Sequence, residues 1–109
     1  MIINKTRNTT IAGSCKLYRN IFSKATGLMF SKQKNIVFIF RKERIVSLHM
    51  LFVFFPIDVL FLDKNKKIVE IKKNLKPWGF YSPKKKAMYV VELKAGKSSS
   101  TSVGDKIGF

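Results

Sequence analysis

The stretch Ile45 to Leu62, IVSLHMLFVFFPIDVLFL, is the most apolar part of the chain, and what it can form limits every other element. At eighteen residues it is just long enough to be weighed as a membrane-spanning helix. Pro56 and Asp58 both stand in its second half. An aspartate near the centre of a span costs about 2.5–3.5 kcal/mol. Lysine is heavy on both flanks, so neither side is marked as the inside. A single buried helix meets the same proline, and Val53, Phe54, Phe55, Ile57 and Val59 are of types that favour strands. The reading that fits is two strands, about Arg44 to Val53 and Ile57 to Leu62, with Pro56 at a strand start or bulge. No transmembrane segment is expected.

A chain of 109 residues is predicted to be one domain, 1–109. Its 46% hydrophobic content excludes a disordered chain, and ten Phe, three Tyr and one Trp can fill a small core. Lys and Arg number 22 against 6 Asp and Glu, a net charge of +16. That excess favours a polyanion, an anionic lipid surface or an acidic partner. Lysines scattered over a solvated surface give the same count. Cys15 is the one cysteine, so neither an intrachain disulfide nor a cysteine zinc site can be built. The first ten residues, MIINKTRNTT, lack the apolar core of a signal peptide. These features predict a cytoplasmic protein.

Along the chain, Ile2 to Lys5 and Ile11 to Tyr18 are predicted as the arms of a first hairpin. Asn8, Thr9 and Thr10 would form its turn, and Gly13 and Ser14 a bulge or bend. Asn20 is a helix cap candidate before a short helix, Ile21 to Thr26, with Gly27 near its end. Ile36 to Phe40 is an unbroken apolar run, the pattern of a strand buried on both faces. The four charges Arg41 to Arg44 are expected to make a hairpin turn. Asp63 to Lys66 is the clearest hairpin signal, with Asn65 suited to a left-handed backbone. Ile68 to Lys72 alternates like a half-exposed strand. Asn74 to Lys86 is expected to be the main loop. Met88 to Leu93 is a further strand ending at an Ala95–Gly96 turn. Gly104 and Asp105 form a turn before an edge strand, Ile107 to Phe109. The order is strand-rich without βαβ alternation. The fold class is therefore mainly β, α+β at the margin: a small compact bent sheet or barrel with one or two short helices.

Taken in order, Gly27-Leu28-Met29-Phe30, Met50, Pro56-Ile57-Asp58-Val59-Leu60-Phe61-Leu62-Asp63, Ile68-Val69, Tyr89-Val90-Val91-Glu92-Leu93-Lys94-Ala95-Gly96 and Gly104-Asp105 form a pattern. It resembles domain-of-unknown-function family 192, also called uncharacterised protein family 0127, found in bacteria and archaea. The resemblance covers about residues 1 to 109 and is to the shorter archaeal form, a bare domain. The fuller bacterial pattern has a Trp-Met-Lys-Asn-Thr run. The matching positions here are His49, Met50, Leu51, Phe52 and Val53, so the polar Lys-Asn-Thr is lost. The resemblance implies a compact β-rich fold and no particular activity.

The residues that could carry chemistry are few. His49 is the one histidine, and a metal site would need Asp58 and Glu92 to converge on it. The plainer reading is a partly buried histidine bonded to a backbone carbonyl. No spacing suggests a nucleophile paired with His49, and the six glycines are dispersed, without a phosphate-loop or dinucleotide motif. No cofactor is predicted. Asp58 and Glu92 could act as paired carboxylates for acid–base work. Asp58 lies in an apolar strand and must find backbone N–H donors or a cation there. A second role is that of a ligand-binding acid at the mouth of a small barrel. The loop carrying Trp78, Phe80 and Tyr81 directly before Lys84, Lys85 and Lys86 is the best binding candidate. Aromatic faces beside cations stack bases while neutralising phosphates. The same residues also fit a loop folded onto the core with a solvated lysine run. Two functions follow as expectations. One is a non-catalytic binding or accessory module with a basic face, its partner a polyanion or an acidic protein. The other is a small-ligand protein or enzyme with Asp58 and His49 in a cleft.

Overall fold

The structure, a computed structural model, describes residues 1–19, 35–49 and 54–109. Ten strands run through them: β1 (Ile2–Asn4), β2 (Thr9–Ala12), β3 (Lys16–Tyr18), β4 (Ile36–Arg44), β5 (Leu48–His49), β6 (Ile57–Leu62), β7 (Ile68–Leu75), β8 (Phe80–Tyr81), β9 (Ala87–Lys94) and β10 (Ile107–Gly108). The fold is mainly β, as the sequence predicts, with no helix among the described residues. The helix expected over Ile21 to Thr26 lies outside them, as do Asn20, Gly27 and the Met50 to Val53 part of the central stretch.

The central apolar run explains the architecture. Its second half becomes β6, buried at all six positions, in a five-stranded sheet of order β3-β4-β9-β6-β7. Neighbours are antiparallel except β3 and β4, which run parallel. Side chains alternate between the two faces of a strand. From β6, Ile57, Val59 and Phe61 join Ile36, Phe38, Phe40, Leu75 and Val90 in one core. Leu60 and Leu62 join Val37, Val91 and Leu93 in a second. Ile2, Ile11 and Ile107, from a three-stranded sheet of order β10-β1-β2, cover that second core. A sheet covered on both faces takes apolar residues on both sides of its strands, which is why its inner strands read as near-continuous apolar runs, broken at Asp58 and Glu92. A short ribbon, β5 with β8, sends Leu48 and Tyr81 to the first core.

Several local expectations change. Arg41, Lys42, Glu43 and Arg44 do not make a hairpin turn. They continue β4, and Arg44 still pairs with Ala87 of β9 beyond a register irregularity. Their charges reach solvent while the backbone stays in the ladder, so charge density alone mispredicts a turn. The strand expected over Arg44 to Val53 breaks after Arg44, and residues 45–47 lie outside any strand. The chain then re-enters a sheet as β5, with β8 rather than β9 as its partner. The first turn spans residues 5–8, with Asn8 at φ 55°, while Thr9 and Thr10 belong to β2. Gly13 and Ser14 pass the chain from one sheet to the other, so the predicted single arm Ile11 to Tyr18 is two strands. The 63–66 hairpin forms, closed by the Lys66 N–H on the Asp63 carbonyl at 3.0 Å. Lys66, at φ 63°, takes the left-handed position there. Asp63 Oδ1 accepts the N–H groups of Asn65 and Lys67 and fixes the turn.

Phe61 is fully buried in the strand that both neighbours of the inner sheet share. Phe61→Ala is expected to cost about 3–5 kcal/mol through lost contacts and a residual cavity. Chemical denaturation followed by far-UV circular dichroism measures it, with a β-type spectrum for the parent.

Candidate functional site

Asp58 projects from β6 toward the face that carries Leu60 and Leu62, and it is 2% exposed. Opposite it the β6–β7 register slips: Ile57 pairs with Leu75, but Val59 pairs with Lys72. The extra residue on β7 bulges, with Asn74 at φ 53°, and its N–H donates to Asp58 Oδ1 at 2.9 Å. Oδ2 accepts three donors from the turn after β9: Gly96 N–H at 2.9 Å, Ser98 N–H at 3.2 Å and the Ser98 hydroxyl at 2.6 Å. Gly96 sits at φ 95°, a backbone that glycine adopts without penalty. Burial alone would push the Asp58 carboxyl up. The Ser98 hydroxyl and the three backbone N–H groups outweigh it and hold the group below the ordinary 3.8. The sequence therefore names the right residue and the right kind of donor. It does not name Ser98, forty residues away and one of several serines in a polar run.

The paired-carboxylate expectation fails on register. Glu92 lies opposite Val59 and Ile36, residues of the first core. Asp58 lies opposite Leu93, a residue of the second. The two carboxylates leave the sheet on opposite faces. His49 pairs through its backbone with Phe80, and its side chain lies outside the described atoms. Among the described residues no group of three His, Cys, Asp or Glu side chains could hold a metal.

The aromatic loop divides in two. Tyr81 is half-buried and packs on Phe61 with ring centroids 5.9 Å apart. Its hydroxyl donates to Glu70 Oε2, and Lys72 Nζ lies 5.6 Å from its ring centre. Glu70 Oε1 also accepts the Lys84 and Lys85 N–H groups at 2.9 and 3.0 Å, so one β7 carboxylate fixes both ends of the loop's return. The hydrogen bond to Glu70, with burial and the nearby charge, raises the Tyr81 hydroxyl to about 12. Trp78 and Phe80 face the other way, 51% and 57% exposed. Phe54, 62% exposed, meets Trp78 edge to face at 5.7 Å. Lys84, Lys85 and Lys86 are exposed. Sequence reasoning grouped Tyr81 with Trp78 and missed Phe54 and Glu70. An acid alone among the lysines of β7 was the available signal for Glu70.

Trp78 is held in an unusual backbone. Residues 76–79 form a turn closed by the Gly79 N–H on the Lys76 carbonyl at 3.0 Å. Pro77 occupies its second position and Trp78, at φ 63°, its third, where a type II turn ordinarily places glycine. A Cβ on Gly79 would meet the Lys76 carbonyl oxygen at 2.8 Å, so glycine is required one residue later. A bulky residue in this region carries roughly 1–3 kcal/mol of strain.

A second polar clasp joins β1 and the turn after it to the segment before β10. Asp105 Oδ2 accepts Asn4 Nδ2 at 2.9 Å, Arg7 Nε at 2.7 Å and the Ser102 N–H at 3.0 Å. The Asn4 amide, with Arg7 and Ser102, more than offsets burial and lowers this carboxyl too.

Asp58→Ala is expected to lose about 1–3 kcal/mol and Ser98→Ala less, because only one donor goes with the serine. Asp58→Asn falls between, since it keeps one acceptor oxygen. A carboxyl lowered by folding stabilises the fold above its ordinary value of 3.8. That contribution is lost as pH falls through the lower folded value. Melting temperature against pH should therefore drop below about pH 4 in the parent and drop less in Asp58→Asn. For Tyr81, ultraviolet titration of the three tyrosines should show one ionising near 12. Glu70→Gln should bring that one down toward 10.

The profile of domain-of-unknown-function family 192 (DUF192, "Uncharacterized ACR") matches residues 2–109. A UPF0127 protein of Pyrococcus horikoshii is 38% identical over 98% of this chain and 96% of its own length. One from Thermococcus sibiricus is 36% identical over 98% of this chain and 73% of its own. Among solved structures, a Sinorhizobium meliloti protein provisionally described as a transcription regulator superposes with a TM-score of 0.86. The two are 25% identical, over 98% of this chain and 88% of that one. A Novosphingobium aromaticivorans protein of unknown function shares the fold, with a TM-score of 0.80 at 20% identity over 87% of this chain and 74% of that one. In the described residues no helix is long and apolar enough to cross a membrane. The match along nearly the whole chain, with archaeal relatives above one-third identity, makes this protein a member of domain-of-unknown-function family 192.

Proposed function

We propose that the chain is a single-domain, non-catalytic binding module that engages a polyanionic partner through a basic surface in the cytoplasm. The observation that carries this reading is where the six carboxylates lie. Asp58 and Asp105 are buried among donors. Glu70 holds Tyr81 and the backbone of the lysine run. Asp63 closes its own turn, Glu43 accepts the Lys64 N–H at 2.8 Å, and Glu92 is buried in β9. The acids are thus largely engaged in holding the fold, whereas most described lysines and arginines are exposed. A surface of one sign steers and holds an oppositely charged polymer. The Sinorhizobium meliloti neighbour's provisional description as a transcription regulator agrees with a nucleic-acid partner.

The alternative, an enzyme or small-ligand protein with Asp58 and His49 in a cleft, has less support. Four donors surround the Asp58 carboxylate, and hydrogen bonding keeps it ionised in the interior.

A basic protein is retained on any anionic column, so the informative measurement is the salt dependence of affinity. Binding to heparin and to a short single strand is expected to weaken steeply with salt. On a single strand log K should fall by about 0.7 per phosphate neutralised for each tenfold rise in salt. Replacing Lys84, Lys85 and Lys86 together by Gln should flatten that slope by up to about two units. Affinity independent of salt, or no binding at 50 mM salt, removes the proposal.

A further inference from the structure

We infer that Lys67, Lys106 and Lys5 form a phosphate-binding row, which holds the phosphodiester backbone of a nucleic acid without reading its bases. The inference rests on the polyanion reading above and gives that partner a place. Strand register sets the row. Lys67, just before β7, lies opposite Lys106, just before β10, in an antiparallel bridge. The Ile107 N–H on the Lys66 carbonyl and the Ile68 N–H on the Asp105 carbonyl, each at 2.9 Å, flank that pair. Lys67 and Lys106 are therefore a non-hydrogen-bonded pair, the kind in which opposed side chains stand closest. On the other side of Lys106, the Lys5 N–H donates to its carbonyl at 2.7 Å, one step beyond the pairing of Asn4 with Ile107. Three lysines thus stand abreast on three neighbouring segments.

All three share one face. Their chain neighbours Ile68, Ile107 and Asn4 turn inward and are buried, so alternation sends Lys67, Lys106 and Lys5 outward, where each is exposed. A Cβ on Gly108 would lie 2.6 Å from Lys5 Cε, so the Lys5 stem rests directly on that glycine. It leans two residues along β10 from Lys106, roughly 6–7 Å.

Like charges directly opposite one another weaken a ladder. Among the described residues no carboxylate forms an ion pair with any of the three. The acids beside them in sequence serve other groups. Asp105 Oδ2 accepts from Asn4, Arg7 and Ser102, and Asp63 Oδ1 from the Asn65 and Lys67 N–H groups. Neighbouring cations are engaged as well: Arg7 with Asp105, and Lys66 with the Phe109 ring, its Nζ 4.1 Å from the ring centre. A fold that sets ammoniums side by side with no acid between them is stabilised by an anion that bridges them.

The chemistry of the row selects the partner. An ammonium is a compact charge that meets phosphate oxygens without the planar fork that reads a base edge. Lys5, Lys67, Lys106 and Gly108 offer no ring on which a base could stack. The row spans two strand spacings, roughly 10 Å. Phosphates held apart by sugars suit that spread better than phosphates that share oxygens. An anionic bilayer takes lysines together with an apolar face, which these positions do not supply.

The test titrates the full chain into a labelled short DNA duplex and reads anisotropy at several salt concentrations. Two triple variants of equal charge are compared. One carries Lys5→Gln, Lys67→Gln and Lys106→Gln. The other carries Lys16→Gln, Lys76→Gln and Lys97→Gln, three exposed lysines outside the row. The row variant should bind about tenfold more weakly or worse, with the slope of log K against log salt flattened by up to about 2.7 units. The scattered variant should lose less than about threefold and keep most of its slope. A duplex of another sequence should bind the parent equally. Lys106→Glu faces both neighbours with the opposite charge, so it should melt above the parent at low salt and lose that gain as salt rises. It should also bind the duplex more weakly than Lys106→Gln. If the two triple variants bind alike while the salt slope persists, the row is overturned and the polyanion reading stands. If Lys106→Glu melts below the parent at low salt, the ammoniums are not an uncompensated group and the inference fails. If the row variant loses affinity for a polyphosphate chain or for phosphatidylserine vesicles but not for the duplex, the row takes another phosphate source and the assignment to nucleic acid fails. Absence of salt-dependent binding to all three ligands removes both proposals together.

Discussion

A buried carboxylate must be surrounded by donors, because an ionised group taken out of water without them would cost far more than the marginal stability of a small fold. At Asp58 those donors come from two segments distant in sequence, the end of β7 and the turn after β9. Much of the architecture on that side can be understood from this one requirement. The β7 bulge frees an N–H that the regular ladder would have engaged. The turn at residues 95–98 curls so that the Gly96 and Ser98 N–H groups and the Ser98 hydroxyl point to one oxygen. The return of the chain toward β1 then begins from a fixed point. The two cores supply most of the apolar burial, and the carboxylate ties together loops that those cores do not reach.

What could be read in advance divides along the same line. Local patterns were legible where a residue's environment is set by its immediate neighbours. The apolar run with Pro56 gave β6, the alternation after Ile68 gave part of β7, and Asp63 marked its hairpin. Asp58 stood out because a carboxylate in an apolar strand has few physical options. Prediction stopped where long-range pairing decides. Arg41 to Arg44 look like a turn until β9 offers a ladder. Gly13 and Ser14 look like a bulge until the next strand pairs parallel with β4 in another sheet. The aromatic loop is the sharpest case. Trp78, Phe80 and Tyr81 are chemically alike in sequence. Their division into an outward pair and an inward anchor depends on Glu70 of β7 and on the backbone sign at residue 78.

The distribution of charge gives the fold its electrical character. Carboxylates that in many proteins would sit outside and neutralise lysines are used here mostly to bind backbone, hydroxyl and amide donors, and Asp105 also holds Arg7. The surface is left strongly cationic, which favours solubility and resists self-association, while repulsion among the lysines opposes the compact state. Internal acids supply part of the compensating stabilisation. Fold stability and affinity for anions are therefore linked through the same six residues.

The placing of β1 has a consequence for how the chain comes into being. This strand lies in the middle of its sheet, between β2, which follows it at once, and β10, which lies about a hundred residues downstream. Its Asn4 amide is satisfied by Asp105, and the Lys5 N–H by the carbonyl of Lys106. During synthesis β1 must wait, half-paired, until β10 has followed it. Closing so large a loop late is entropically slow and leaves strand edges open in the interval. In that interval positive charge helps to guard the open edge of β1, and the lid on the second core closes only once Ile107 arrives.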